Sequence, residues 1–135
     1  MQFMLNLAVN YGDDYVNIKD IAQKEGISVK FLENIVSIIK PSELIIVKRG
    51  ASGGYKLSKA PAQISLFDII EILEGEIFPS EPIDKGRLQL SDIGFVTYKV
   101  FDDMKQNLTV FLKTRTLQDL VKEFHNKQNN FMFYI

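Results

Sequence analysis

The 135-residue sequence contains no cysteine and only one histidine. Without cysteine, these residues form no disulfide, supply no thiol nucleophile and ligate no cysteine-bound metal cluster. The histidine, His125, is expected on the surface late in the last helix rather than as a metal ligand. No nucleophile stands in a recognisable pattern with a base. We therefore predict a protein that is not an enzyme and that holds no metal or cofactor.

Long apolar runs are also missing. Runs such as residues 44–47 are far too short to span a bilayer, and no charged segment followed by a long apolar stretch opens the chain. We expect a cytoplasmic protein without membrane contact. Because 46% of the residues are hydrophobic and only 24% are charged, the chain should fold around a real core as one small domain, or as one domain with an arm.

The net charge of -1 conceals an uneven distribution. Residues 19–59 hold eight basic and four acidic side chains, a local charge of +4, whereas the remaining eight basic and 13 acidic side chains carry -5. This distribution is typical of a phosphate-binding head on an acidic body. Ordinary scatter of charge is the alternative.

Two short helices joined by a glycine turn are predicted after a first helix that buries Tyr11 and ends at Gly12. Asn17 is the expected N-cap of the second helix, and Gly26 ends it in the left-handed conformation. Ser28 then caps the third helix. The pattern is that of a helix-turn-helix, although many helical proteins have such corners.

The third helix carries a polar face with side chains at i, i+3, i+4 and i+7: Lys30, Glu33, Asn34 and Ser37. Asparagine pairs bidentately with adenine, and glutamate accepts a hydrogen bond from the cytosine amino group. A solvated face of an amphipathic helix is the alternative.

A small β-wing is predicted next, with strands at residues 44–47 and 55–57. The connecting loop holds Lys48, Arg49 and three glycines. The glycines permit positive φ and close approach to a phosphate, and an arginine here can enter a narrow minor groove. The loop lacks the Gly-Lys-Ser/Thr ending of a nucleotide-binding P-loop and does not open a helix, so we reject that function.

The second half begins with a capping box of Ser65 and Asp68, which starts a helix that ends at Gly75. Residues 76–90 form a predicted loop and a candidate effector region. A long helix then runs from Ser91 or Asp92 to about Thr114. A helix of this length needs a partner for its wide apolar stripe, and we predict a second copy, with packing on its own domain as the alternative. The stripe consists of Ile93, Val96, Val100, Met104, Leu108 and Phe111.

Thr116 caps the predicted last helix, with Asp119 at its third position. The chain ends in NNFMFYI, residues 129–135. This apolar end either docks on a partner subunit or frays.

Three segments carry a resemblance to a known family: IKDIAQKEGISVKFLENIV, VKRGASGGYKLSKAPAQISLFDIIEILEG and TLQDLV. The chain resembles the Rrf-type winged-helix transcription regulators. The resemblance implies a homodimeric DNA-binding regulator, usually a repressor, with a helix in each major groove and a wing in the adjacent minor groove. Together with Ser37 and Lys48 from the patterns above, it gives the expected DNA-binding residues: Ser28, Lys30, Phe31, Glu33, Asn34, Ser37, Lys48, Arg49, Ser52, Gly53, Gly54 and Tyr55.

The sequence departs from the family in one decisive way. Cluster-binding members place three cysteines in the region that corresponds to residues 76–90, and this sequence has none. Since thiolates are the ligands that such clusters need, we predict a member without an iron–sulfur cluster. Family members also usually carry a short basic segment before the first helix, and we expect DNA affinity to depend on it.

The sequence thus predicts a mainly α protein with a small β-wing. Residues 1–75 form a winged helix-turn-helix DNA-binding domain, residues 76–90 a loop, and residues 91–135 the dimerisation and C-terminal helices. The expected partners are double-stranded DNA, a second copy of the chain, and a protein or small-molecule effector. The alternative function is a regulator or interaction module controlled mainly by a bound protein such as a metabolic enzyme.

Overall fold

The computed structural model describes residues 1–12, 15–75 and 91–132, so the predicted loop at residues 76–90 and the last three residues lie outside it. Within the described ranges the chain is mainly helical and has one β-hairpin, which confirms the predicted fold class. Its elements are α1 (Gln2–Val9), α2 (Ile18–Glu25), α3 (Val29–Ile39), β1 (Ile45–Lys48), β2 (Gly54–Leu57), α4 (Leu66–Glu74), α5 (Asp92–Thr114) and α6 (Leu117–Met132).

The predicted helix-turn-helix is present as α2 and α3. The Asn17 side chain accepts a hydrogen bond from the Lys19 N–H at 2.8 Å, and the Ser28 hydroxyl accepts one from the Phe31 N–H at 3.1 Å. Each bond satisfies a backbone donor that the first turn of a helix leaves unpaired. Gly26 ends α2 with a φ of 64°, the left-handed conformation that the sequence predicts.

The first helix is shorter than predicted. It ends at Val9, and Tyr11 is exposed rather than part of the buried face. The Tyr11 N–H bonds to the Ala8 carbonyl, three residues back instead of four. This tighter turn breaks the 3.6-residue period on which the prediction for Tyr11 was based.

The wing is an antiparallel pair in which Ile45 lies opposite Leu57 and Lys48 opposite Gly54. The strand β1 is shifted by one residue from the prediction, because Leu44 lies outside it and Lys48 belongs to it. The strand β2 begins one residue earlier than predicted, at Gly54. Val16 forms an additional β-bridge to the wing that the sequence did not predict. Its N–H and carbonyl exchange hydrogen bonds with the backbone of Tyr55, both at 2.8 Å, so the wing is tied to the segment before α2.

The beginnings of α4 and α6 are joined to each other. The capping box of α4 is present as predicted, with hydrogen bonds between Ser65 and Asp68 in both directions. The Leu66 N–H donates to the Arg115 carbonyl at 2.9 Å, and the Leu117 N–H donates to the Ile64 carbonyl at 3.0 Å. These bonds hold the C-terminal helix on the N-terminal half of the chain.

One hydrophobic core collects residues from both halves. Its buried side chains come from α1, α2, α3, the wing, α4 and the first turns of α6. The largest fully buried ones are Met4, Leu7, Ile21, Leu32, Ile39, Ile64, Ile69 and Leu117. The core therefore fixes α3 and the wing on a common body.

The two C-terminal helices extend beyond this core. The long helix α5 starts after Ser91, whose hydroxyl accepts from the Gly94 N–H, and it ends at Thr114 as predicted. The helix α6 continues to Met132, so the first residues of the predicted tail are helical. No helix in the described ranges is long and apolar enough to cross a membrane.

Candidate nucleic-acid interface

The polar face of α3 lies on the surface. Lys30, Glu33 and Asn34 are exposed, and between them Phe31 has 55% of its surface exposed. Because Leu32, Val36 and Ile39 hold the opposite face in the core, these side chains project away from the protein. The face therefore offers a cation, a carboxylate, an amide and an aromatic ring to a partner.

Of the three serines in the predicted set, the two associated with α3 already bond to the helix itself. Ser28 caps the first turn, and the Ser37 hydroxyl donates to the Asn34 carbonyl at 2.7 Å. The Ser28 hydroxyl can still donate one bond and accept another, and the Ser37 hydroxyl can still accept, since a hydroxyl has one donor and two acceptor sites. Their roles toward DNA stay predictions.

The wing loop presents exposed Lys48, Arg49 and Ser52. It closes on itself through the Gly53 N–H, which donates to the Gly50 carbonyl at 3.0 Å. Gly50 has a φ of 106° with open space around it, so a side chain at this position would be strained by the backbone alone. The loop is thus held in one compact turn beside the cations.

The last two glycines of the loop have a structural explanation that the sequence did not show. A Cβ on Gly53 would collide with the Lys48 carbonyl, and one on Gly54 would collide with the Val16 carbonyl. The missing side chains therefore make room for the protein's own backbone. The expectation that these glycines admit a phosphate is left as a prediction.

Tyr55 differs from the other predicted contact residues. It is half-buried, and its ring meets the buried Phe3 ring edge-on, with 5.8 Å between the centroids. Together with the backbone bonds to Val16, this contact anchors β2 to α1. The position of the ring gives Tyr55 a structural role in the fold. Its contact with DNA stays a prediction.

The wing loop and the helix-turn-helix lie side by side. A single open cleft is lined by Ser52 and Gly53 from the loop and by Asn17 and Asp20 from the start of α2. The cleft therefore joins the wing loop to the start of the helix-turn-helix.

No carboxylate in the described ranges forms an ion pair with a basic side chain of residues 19–59. Across residues 1–12, 15–75 and 91–132, the ion pair found is that of Arg115 with Glu123, which lies away from the head. Lys48 and Lys56 instead approach the ring of Tyr15, with their Nζ atoms 5.5 and 4.6 Å from its centroid. Sequence reasoning missed Tyr15, because it is a single aromatic residue next to the isolated bridge at Val16 and belongs to no periodic pattern.

The predicted dimerisation stripe is fully on the surface of the single chain. All six of its residues are exposed, up to 81% for Ile93. Leu112, the buried residue of α5, points about 100° around the helix from Phe111 but follows Leu108 by four residues, so it lies beside the stripe at that end of the helix. The part of α5 that packs on its own body therefore borders the stripe near Leu108, and dimerisation through the stripe stays a prediction. His125 is exposed, as expected.

Comparison with known proteins gives close relatives over most of the chain. The HTH-type transcriptional regulator CymR of Bacillus subtilis is 33% identical over 135 residues, which cover all of this chain and 93% of that protein. The HTH-type transcriptional regulator IscR of Cronobacter sakazakii is 32% identical over 118 residues, which cover 87% of this chain and 72% of that protein.

Two solved structures share the fold. CymR (YrzC), the global cysteine regulator of B. subtilis, superposes with a TM-score of 0.78 at 32% identity over 90% of this chain and 89% of that chain. The IscR of T. potens gives a TM-score of 0.77 at 31% identity over 94% and 83%. These relatives are regulators, and this chain is likewise a transcription regulator rather than an enzyme.

A family model described as "Rrf2: Iron-dependent Transcriptional regulator" matches residues 1–123. The sequence supplies no thiolate for a cysteine-ligated iron–sulfur cluster, and the described ranges place no three His, Asp or Glu side chains together as metal ligands. The regulator part does fit the winged helix-turn-helix. The chain belongs to the Rrf2 family of transcriptional regulators.

Proposed function

We propose that this chain is a sequence-specific DNA-binding regulator that represses transcription as a homodimer, without an iron–sulfur cluster. The observation that carries the proposal is the exposed polar face of α3 beside a wing whose cations no described carboxylate pairs. In this proposal residues 1–75 form the DNA-binding domain and residues 91–135 form the dimerisation region. Residues 76–90 are the candidate effector region. Such a regulator acts on the chromosome, in the cytoplasm.

In this proposal the side chains of α3 make the contacts with the DNA bases. Asn34 presents an amide that matches adenine, and Glu33 presents an acceptor for the cytosine amino group. Phe31 offers an apolar surface of the kind that contacts a thymine methyl. An α-helix fits the major groove, and all three side chains lie on the exposed surface of one helix.

The wing supplies the second contact. Arg49 sits at the first position of an exposed loop, directly after Lys48 at the end of β1. A narrow minor groove has enhanced negative potential and attracts an inserted arginine. The loop and α3 share one body, so each fixes the register of the other on the duplex.

The homodimer rests on α5. The helix of 23 residues is about 34 Å long and leaves a continuous apolar stripe uncovered. Exposed apolar patches of this extent mark interaction surfaces, and a two-fold pair of α5 helices covers both stripes at once. Two heads on one dimer require a roughly palindromic site with half-sites about one helical turn, or a multiple, apart.

The cluster-free state rests on chemistry. Family members that bind a cluster use cysteine thiolates, and these 135 residues contain none. Control must then come from another ligand, either a small molecule or a protein.

The experiment that tests the proposal is selection of bound duplexes from a random DNA pool by the purified protein. We expect enrichment of one two-fold symmetric motif, bound with an affinity that falls as salt rises. A pool carried through the same rounds without protein is the control. Failure of any sequence to enrich would overturn the proposal.

One observation favours the alternative in which a bound protein partner does most of the regulating. At the end of α6, Phe131 and Met132 are 69% and 74% exposed and form an apolar tip on the surface. A chain without residues 129–135 separates the two functions. If the tip serves a protein partner, the shortened chain binds DNA as before but loses capture of that partner in a pull-down.

A further inference from the structure

Two lysines of the wing share one aromatic ring. Lys48 lies in β1 and Lys56 in β2, and both ammonium groups lie within cation–π distance of the Tyr15 centroid. The register places Lys56 opposite Ile46 and Lys48 opposite Gly54, so the two cations come from adjacent strands.

Alternation along the strands explains why the cations meet there. Ile45 and Leu57 are opposite each other and buried, so their side of the sheet faces the core. Successive side chains of a strand point to opposite faces, and Lys48 and Lys56 therefore occupy the outer face. The backbone bridge between Val16 and Tyr55 brings the preceding Tyr15 beside Lys56.

This arrangement concentrates positive charge next to the wing loop. Neither lysine forms an ion pair with a carboxylate in the described part of the chain, and Arg49 follows Lys48 directly. A ring face is attracted to both ammonium groups, which offsets part of their mutual repulsion and limits the rotamers of two flexible side chains. Two cations beside an Arg-bearing loop offer neighbouring positive charges to the phosphates of a DNA strand.

We propose that Tyr15 is a positioning residue that holds Lys48 and Lys56 as a phosphate-binding pair, which extends the DNA contact from the wing loop along the outer face of the wing. The inference rests on the proposed DNA-binding function and adds Tyr15 and Lys56 to its surface. The ligand is the backbone phosphate of duplex DNA, so the pair contributes affinity and salt dependence without base preference.

The test is the salt dependence of duplex binding by the dimeric protein, measured by fluorescence anisotropy on the selected duplex. Each phosphate contact contributes about -0.9 to the slope of log affinity against log salt, so Lys56→Gln should flatten the slope by about 1.8 for a dimer. A fourfold rise in salt would then cost this variant about tenfold less affinity than it costs the wild type. Lys122→Gln, an exposed lysine of α6, is the matched control and should leave the slope unchanged.

Two variants of Tyr15 separate positioning from simple packing. Tyr15→Phe keeps the ring face and should bind as the wild type does, whereas Tyr15→Leu keeps apolar bulk without the ring and should flatten the slope as Lys56→Gln does. If Tyr15→Leu lowers the melting temperature and leaves the slope unchanged, the ring has a structural role only and the inference is wrong.

The failure of this inference differs from that of the proposed function. If the wild-type protein shows no salt-dependent binding to any selected duplex, the proposed function falls and the inference falls with it. If the wild type binds with a clear slope and Lys56→Gln has the same slope, the DNA-binding function stands and the phosphate-binding pair is refuted.

Discussion

The replacement Val100→Glu addresses the dimer directly. Val100 lies in the middle of the stripe on α5, with 61% of its surface exposed in the single chain. In a two-fold dimer the same residue is buried twice, once from each copy. The change therefore removes two apolar contacts and places two carboxylates where the stripes meet.

The size of the effect follows from the area that the valines expose. Fully burying a valine contributes roughly 1.5–3 kcal/mol, so burying the exposed 61% of two valines contributes roughly 2–4 kcal/mol to dimerisation. At about 1.4 kcal/mol per factor of ten, the dissociation constant of the dimer should rise by roughly one to three orders of magnitude. Desolvation of two unpaired carboxylates adds to this loss.

Sedimentation equilibrium over a range of protein concentrations measures the dissociation constant, and circular dichroism checks that the helices persist. Val110→Glu is the matched control, because Val110 belongs to the same helix and has the same exposed fraction of 61%, yet lies outside the stripe. We expect Val100→Glu to be monomeric where the wild type and the control are dimeric. A dimer of unchanged affinity in Val100→Glu would place the interface elsewhere.

Arg49→Ala should weaken duplex binding and flatten its salt slope by about 0.9 per protomer, whereas Lys122→Ala should not; equal slopes for both variants would remove Arg49 from the interface. Glu33→Ala should relax base preference more than it lowers affinity, and a repeated selection that returned the wild-type motif would contradict that role. Ser65→Ala should lower the free energy of unfolding by about 1 kcal/mol in urea titration through loss of the capping box, and an unchanged midpoint would show that the cap contributes nothing. A hydrogen bond from the backbone N–H of residue 116 holds the pKa of Asp119 below its ordinary value. The stabilisation from a carboxylate with a lowered pKa is complete at neutral pH and is lost as pH falls through the folded-state pKa, so wild type and Asp119→Asn should converge in stability in acid; a constant difference down to that range would contradict this.

The local signals in the sequence were sufficient for most of the fold. Caps at Asn17, Ser28 and Ser65 depend on hydrogen bonds within three residues, and the structure contains all three. The length of α5 was predictable for the same reason, since its apolar period and its flanking Ser91 are both local features.

Contacts between distant segments were not predictable in this way. The bridge from Val16 to Tyr55 involves a single residue of the segment before α2, and one residue cannot show an alternating pattern. Without that bridge, neither the position of Tyr15 over the lysines nor the crowding at Gly54 follows from the sequence. The glycines of the wing show the same limit, because the sequence reveals that a side chain is absent but not which carbonyl fills the space.

The shared core also joins parts that the sequence separates. Leu117 and Val121 of α6 pack with α1, although the sequence analysis placed them with the dimerisation helix. Periodicity shows which face of a helix is apolar but does not identify the element that covers it. The same limit applies to α5, whose stripe is exposed in the single chain although Leu112 beside it is buried.

The most direct measurement of the central claim is a titration of the purified protein into three fluorescent duplexes: the selected motif, a single half-site, and a scrambled sequence of equal length. The account predicts one dimer bound to the full motif, weaker binding to the half-site, and still weaker binding to the scrambled duplex, with affinities that fall linearly against log salt. Equal affinity for all three duplexes, or binding of one monomer to the full motif, would contradict a dimeric regulator that reads sequence with α3 and the wing.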